Sequence, residues 1–273
     1  MSKTSSKITI TITPVKTSTW KLDFKGDTKP ISAHRFTQLM GWENYVSKSE
    51  LFLDFYGLKI TTPNKRLDLG NVMESTILDY EYRDDTYIHY DFSKSNNGNI
   101  INPNGEEFNG IPDAIVPTRN CIGECKVTTV QDVDCKMNWY KQVQFYAYFW
   151  NKYLSETSGL TIEYVEVLRY YVPENLIDYQ IANSNVLVLN NYHKYRFDLD
   201  ETIEDDIKEA QLKKQELLNN GLVIRKNNSR ILWQIAVGVV NKKIKFKYDK
   251  NNEQCKELID IINKIVKDER KKK

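Results

Sequence analysis

The sequence predicts an α/β (α+β) fold: a central mixed sheet flanked by helices, with an N-terminal hairpin and a C-terminal extension. Three observations predict it. Of 273 residues, 40% are apolar and 12% aromatic, enough to fill a packed interior and too many for long-range disorder. Helical stripes and strand-like runs alternate along the chain with no internal repeat. One long aromatic-rich segment, Lys136 to Leu154, has strand candidates on both sides and reads as a core helix.

The elements follow in order. Ile8 to Ile12 alternates Ile and Thr, and Trp20 to Phe24 alternates again, a small hairpin. Ser32 to Met40 reads as a short helix opened by a serine cap, and Glu50 to Tyr56 as another before the break at Thr61-Thr-Pro-Asn64. Leu67 to Tyr82 carries Leu69, Val72, Met73, Ile77 and Tyr80 at helical spacing. Tyr87 to Phe92 looks like a strand, and Asn102-Pro-Asn-Gly105 is a turn signal. Ile111 to Val116 and Ile122 to Thr128 are strands joined through Pro117 to Asn120. After the core helix, Tyr164 to Val172 and Ile177 to Leu189 read as strands broken by Pro173-Glu-Asn175. Asp200 to Asn219 is a polar amphipathic helix ended by Gly221, Ile231 to Tyr248 a hairpin turning near Asn241, and a final helix starts near Asn252. The expected division is a hairpin extension at 1–30, a core at 31–225, and at 226–273 an extension packed on that core.

Bulk properties exclude several classes. The longest apolar run, Ile231 to Val240, is broken by Gln234 and too short to cross a bilayer. The opening residues Met1 to Lys7 lack the apolar centre of a signal peptide. The expectation is a soluble cytoplasmic protein with no membrane partner, in the host-cell cytoplasm if the chain is viral. Cys121, Cys125, Cys135 and Cys255 lack the paired spacings of a zinc site and read as reduced thiols; an iron–sulfur cluster is the sharper alternative. The net charge of +2 is unevenly spread, acidic from Glu201 to Asp206 and basic from Lys242 to Lys250 and at Lys267 to Lys273. The basic tail reads equally as a solvated helix end or a phosphate contact.

One constellation carries chemistry. Gly110-Ile-Pro-Asp113 precedes one strand candidate, and Glu124-Cys-Lys126 lies in the next. In a hairpin of the two, Asp113 comes beside Glu124, and residues two apart on a strand share a face, so Glu124 and Lys126 emerge together. Two neighbouring carboxylates repel unless a divalent cation sits between them, and hard oxygen ligands with room for water describe a magnesium site. Such an ion handles phosphate. The next helix carries Gln142 with Tyr146, and Gln144 with Tyr148, at four-residue spacing. Amides among so many aromatics need partners, either within the core or at the site. Glu74 sits on the 67–82 helix, facing the cluster or the rim.

Taken together, Gly70-x-x-x-Glu74, Ile111-Pro-Asp113, Glu124-Cys-Lys126 and Gln142-Val-Gln-Phe-Tyr146 resemble the lambda-exonuclease/YqaJ-like branch of the PD-(D/E)xK nuclease superfamily, over about Ser32 to Leu189. The resemblance implies a restriction-endonuclease-like core. It implies that Asp113, Glu124 and the main-chain carbonyl of Cys125 hold catalytic Mg2+, with Mn2+ substituting, and that Lys126 is the catalytic lysine. Glu74 then holds a second metal or its water, and Gln142 or Gln144 places the nucleophile. Tyr146 is expected on the DNA. Members of the family degrade one strand of linear duplex DNA from the 5′ end, some as homo-trimers, often beside a single-strand annealing protein in phage-type recombination. An endonuclease with the same centre and an inactive DNA-binding protein of the same fold are the alternatives. Where the family often has Thr-Ala-Ser at a terminal-phosphate pocket, this chain has Ile31-Ser-Ala-His-Arg35, making His34 and Arg35 the candidate phosphate ligands.

Overall fold

Ile/Thr alternation buries every second residue of β1 (Ile8–Lys16), and β2 (Thr19–Lys25) returns antiparallel to it with Ile10 opposite Phe24. The computed structural model describes residues 7–43, 46–89, 107–131 and 134–272. After β2 come the short β3 (Ile31–Ser32) and α1 (Ala33–Leu39), capped by the Ser32 side chain on the Arg35 amide. Next is α2 (Lys48–Phe55), opened by a capping box between Ser47 and Glu50. α3 (Lys65–Glu81) leads to β4 (Ile88–His89), β5 (Phe108–Asn109) and β6 (Ala114–Val116). Then follow β7 (Cys121–Thr128), α4 (Met137–Tyr153), α5 (Ser155–Ser158), β8 (Tyr164–Tyr171) and α6 (Ile177–Ala182). The chain continues through β9 (Tyr192–Asp198), α7 (Ile203–Asn220), β10 (Leu222–Arg225), α8 (Ser229–Val240), β11 (Ile244–Lys247) and α9 (Glu253–Lys271). The turn signal at 102–105 and the end of the 87–92 strand candidate lie outside the described residues.

Contacts divide the chain into two units. One comprises residues 1–29, 44–61 and 211–273, the other 30–43 and 62–210. The sequence expectation set its boundaries at 30/31 and 225/226. By contacts, residues 44–61 and 211–225 group with the two terminal segments.

In the first unit, β10, β2, β1 and β11 form a four-stranded sheet, so the N-terminal hairpin is the middle of a larger layer. One sheet face is apolar: Ile10, Trp20, Leu22 and Ile224 pack against Phe52 and Leu53 of α2, Ile235 of α8, and Leu258 and Ile262 of α9. α8 corrects the expected 231–248 hairpin. Its β-branched residues favour a strand by propensity, but the helix lays Ile231, Leu232, Ile235 and Ala236 on the core, and that burial prevails. Gly238 permits the close approach, since a Cβ there would come within 2.5 Å of Ile244.

In the second unit, the five-stranded order is β4–β6–β7–β8–β9, with β7 and β8 parallel and the other pairs antiparallel. This is the mixed, helix-flanked sheet the sequence predicts. Leu69, Met73, Ile77 and Leu78 of α3 pack on one face with Ala114, Cys121 and Leu168, while Val72 is exposed. α4 covers the other face, and Phe145 meets Phe36 of α1 at 5.2 Å. Two strand expectations fail here. Residues 177–189 start with α6, where Ile177 and Gln180 are buried at helical spacing, and the fifth strand is β9. β9 escaped notice because His193, Lys194 and Arg196 are exposed, leaving only the short Tyr195/Phe197 alternation. The 111–116 strand shortens to β6, leaving Asp113 at the bend before it.

β7 takes α3 very closely. At Gly123 a Cβ would run into the Tyr82 hydroxyl, which donates to buried Glu166 at 2.9 Å. Gly123→Ala is therefore expected to cost about 1–3 kcal/mol through overpacking, read as a lower denaturant midpoint with an unchanged m-value.

Candidate active site

Register places the key groups. β6 and β7 pair Ala114 with Gly123 in antiparallel sense, so the residue before β6, Asp113, falls level with Glu124. The carboxylate of Asp113 accepts the Cys125 main-chain N–H through Oδ2 at 2.7 Å. Cys121, Gly123 and Cys125 turn toward α3, so alternation sends Glu124 and Lys126 to the face under α4.

On that face the side chains interlock. The Lys126 ammonium donates to Glu124 Oε1 at 2.7 Å and to Gln142 Oε1 at 3.0 Å. The Gln142 amide donates to the same Glu124 oxygen at 2.7 Å and to the Tyr146 hydroxyl oxygen at 3.2 Å. Glu124 is 2% exposed, and its Oε2 is buried with no hydrogen-bond partner among the described residues. An orphaned carboxylate oxygen in a dry site is costly, and a cation is the partner that relieves it best.

Electrostatics point the same way. Burial raises the Asp113 carboxyl well above the ordinary carboxylate range, with further upward pushes from Glu124 and Glu74. Burial also raises Glu124, against the opposing pull of Lys126. Lys126 would lose its proton more readily by burial alone, but Glu124 and Asp113 outweigh that and raise it, so it stays an ammonium. Glu74, half-buried on α3, is close enough to push on both acids, and its main-chain carbonyl lies 4.0 Å from Cys125 Sγ. Burial likewise holds the Tyr146 hydroxyl protonated.

The donor set fits a hard divalent ion: a buried carboxylate with an unmatched oxygen and a half-buried one level with it, beside main-chain carbonyls. Among the described residues no three His, Cys, Asp or Glu side chains converge as a metal cage. Magnesium needs no such cage, since it is commonly held by one or two carboxylates and completes its shell with water.

The other candidate residues lie elsewhere. Gln144 turns away from the cluster: its amide donates to the Asp198 carbonyl at 2.7 Å and accepts the Asp200 amide at 3.0 Å, fastening the β9–α7 turn. It stands apart from the cluster, and Gln142 is the residue facing Glu124. His34 is engaged by Nδ1 with Glu43 at 3.2 Å and by Nε2 with Gln38 at 2.6 Å, and the Arg35 guanidinium donates to the Pro30 carbonyl at 3.0 Å. Sequence reading overlooked Arg169. It pairs in register with Lys126, is 2% exposed, and donates to the carbonyls of Val130 and Gln131 just beyond β7. An arginine and a glutamate, Arg169 and Glu166, inside a strand whose other residues are apolar or aromatic were the available signal.

No family model and no curated protein matches this chain. A phage-related exonuclease from Haemophilus somnus 129PT is similar in structure at 15% sequence identity with a TM-score of 0.45, covering 70% of this chain and 94% of that one.

The raised carboxyls make a prediction about the metal-free protein. A carboxyl raised in the fold keeps its proton to higher pH than it does in the unfolded chain, so its contribution to stability falls as pH rises past about 4. Asp113→Asn keeps an acceptor for the Cys125 N–H and removes that cost. In chelator at pH 7 it is expected to be more stable than the parent by about 0.5–2 kcal/mol, an advantage that shrinks toward pH 4. Added magnesium should raise the melting temperature of the parent and leave the variant's unmoved.

Proposed function

We propose that the protein is a magnesium-dependent deoxyribonuclease whose centre is Asp113, Glu124, Lys126 and Gln142. The observation that carries this is the shared face on which Lys126 and Gln142 close on one oxygen of Glu124 while its other oxygen lacks a partner. The motif resemblance from Gly70 to Tyr146 supports the same reading.

Asp113, Glu124 and the Cys125 carbonyl would hold Mg2+ or Mn2+, with Glu74 at its edge, and the ion supplies Lewis-acid polarisation of a phosphodiester and a more acidic water. The chain's own groups do the rest. Lys126 keeps its proton and offsets negative charge gathering on the phosphorus oxygens in the transition state. Gln142 fixes Lys126 and Glu124 relative to each other with one amide, and Tyr146 holds that amide in turn. Proline before Asp113 and the clamp from the Cys125 N–H set the second carboxylate. Rigid placement of this kind serves rate more than stability.

The finer reading is a 5′-to-3′ exonuclease on linear duplex DNA, acting in phage-type recombination or repair in the cytoplasm, with a single-strand annealing protein as partner and a homo-oligomer as its working form. An endonuclease of restriction or junction-processing type is the second reading. It is favoured by one observation: His34 and Arg35, the candidates for a terminal phosphate, are engaged with Glu43 and Pro30.

Purified protein with magnesium and end-labelled linear, covalently closed circular and single-stranded DNA tests both. Loss of the linear duplex with circles intact supports the exonuclease, and nicked or linearised circles support the endonuclease. Asp113→Ala and Lys126→Ala are each expected to slow cleavage at least about 100-fold with the fold retained. Gln142→Ala should fall between them and the parent, while Gln144→Ala should lose stability with near-parental turnover. Glu74→Gln should require more magnesium for half-maximal rate. Parental turnover in Lys126→Ala would remove the proposed centre.

A further inference from the structure

The sheet of the first unit has a second face. Opposite its apolar side, alternation turns outward the β1 threonines between Thr9 and Thr13, together with Lys21 and Lys25 of β2, Arg225 of β10, and Lys245 and Lys247 of β11. Cross-strand register aligns Lys25, Thr9 and Lys245 in one row, with Asp23, Thr11 and Lys247 in the next. Asp23 is the one acid these strands turn outward, and it is paired with Lys21 at 3.2 Å. Lys25, Arg225, Lys245 and Lys247 are exposed. We infer that this face binds the phosphate backbone of nucleic acid without reading its sequence.

A solvated face with protective edge charges is the ordinary explanation of such residues. Edge protection accounts for β10 and β11, the outer strands, where lysine or arginine discourages edge-to-edge pairing. It does not account for Lys21 and Lys25, which stand on an interior strand. Five cations and a row of hydroxyls against one neutralised acid, in a chain of net charge +2, form a concentrated positive field. Ammonium groups and hydroxyls contact phosphate, and the outward strand positions carry no aromatic ring on which a base could stack. Val223 is an exposed apolar side chain that these strands turn outward, and without an aromatic beside it a membrane surface is disfavoured. A cavity of ≈ 620 Å³ lies at the Arg225 end of these strands, lined by Lys16 to Thr19 of the hairpin turn and by Arg225 to Asn227. The choice of nucleic acid among polyanions draws on the nuclease reading, while the binding itself does not need the catalytic centre.

The test uses the full chain in chelator, where cleavage is silent, and follows fluorescence anisotropy of a labelled mixed-sequence duplex across salt concentrations. Combined Lys25→Glu, Arg225→Glu, Lys245→Glu and Lys247→Glu is expected to weaken binding at least tenfold and flatten the log–log salt slope by about 3–4, near 0.9 for each phosphate no longer neutralised. Should that variant fail to fold by circular dichroism, the four glutamine substitutions replace it, with the same slope change expected. Because chelator silences cleavage, the readout is binding alone: a parent that binds the duplex here yet fails to cleave it in magnesium overturns the nuclease reading and leaves this face standing. An unchanged slope in the folded four-site variant overturns the inference. So does equal affinity for phosphatidylglycerol vesicles.

Discussion

Burial of Glu124 is the constraint around which the second unit is organised. A carboxylate removed from water costs several kcal/mol unless its lone pairs are met, and breaking such a pair leaves the charge stranded. Only one oxygen of Glu124 is met, by the Lys126 ammonium and the Gln142 amide together. The bonds of Gln142 to Glu124 and Lys126 tie β7 to α4, and the Asp113 clamp on the Cys125 N–H ties the β6 end to the same strand. The unmet oxygen is the residual cost. Structures retain costs of this kind where function needs them, because a site that satisfied itself internally would have nothing left to bind.

The two faces of β7 make the point by contrast. On the α3 side, Glu166 is also 2% exposed, but it accepts from Tyr82 and faces Lys194. Next to it, Glu81 receives Arg119, Lys194 and Tyr192, and these bonds outweigh burial and lower its pKa. That face is a closed ion network with acids matched by bases. On the α4 side, Asp113 and Glu124 are raised, and Lys126 is their one cation among the described hydrogen bonds. Both faces bury charge at the same sheet, so burial alone does not mark a site. The deficit of positive charge does.

What was legible in the sequence follows the physics of each signal. The Glu-x-Lys spacing translates directly into a shared strand face, and the Pro-Asp before β6 needs only antiparallel register to reach it. Gln142 and Gln144 were not separable, since residues two apart on a helix differ by about 200° in direction and both carry a tyrosine four residues on. Packing decided it, sending Gln144 to the β9–α7 turn. α8 and α6 were misread for one shared reason: β-branched and aromatic residues have strand propensity, and only the tertiary core reveals that Ile231, Leu232 and Ile235 must share a helical face. β9 was hard to see because a strand at the end of a sheet with exposed His193, Lys194 and Arg196 leaves only the short Tyr195/Phe197 alternation.

A centre made of carboxylates poses a problem that its own residues do not solve. On the proposed reading, ionised Asp113, Glu124 and Glu74 would repel a phosphodiester, and a divalent ion held there would cancel only part of that charge. Lys126 is committed to Glu124 and Gln142, so it adds little to holding a long polymer. Attraction for a polyanion must then come from cations that have no catalytic duty and whose pairing acids are few. In the described residues the outward face of the four-stranded sheet meets both conditions, with lysines placed even on an interior strand where no folding requirement calls for them. On the proposed reading, separating chemistry from attraction would let the acidic centre keep the unmet oxygen of Glu124 for a cation, since no arginine or lysine need crowd into it to recruit substrate.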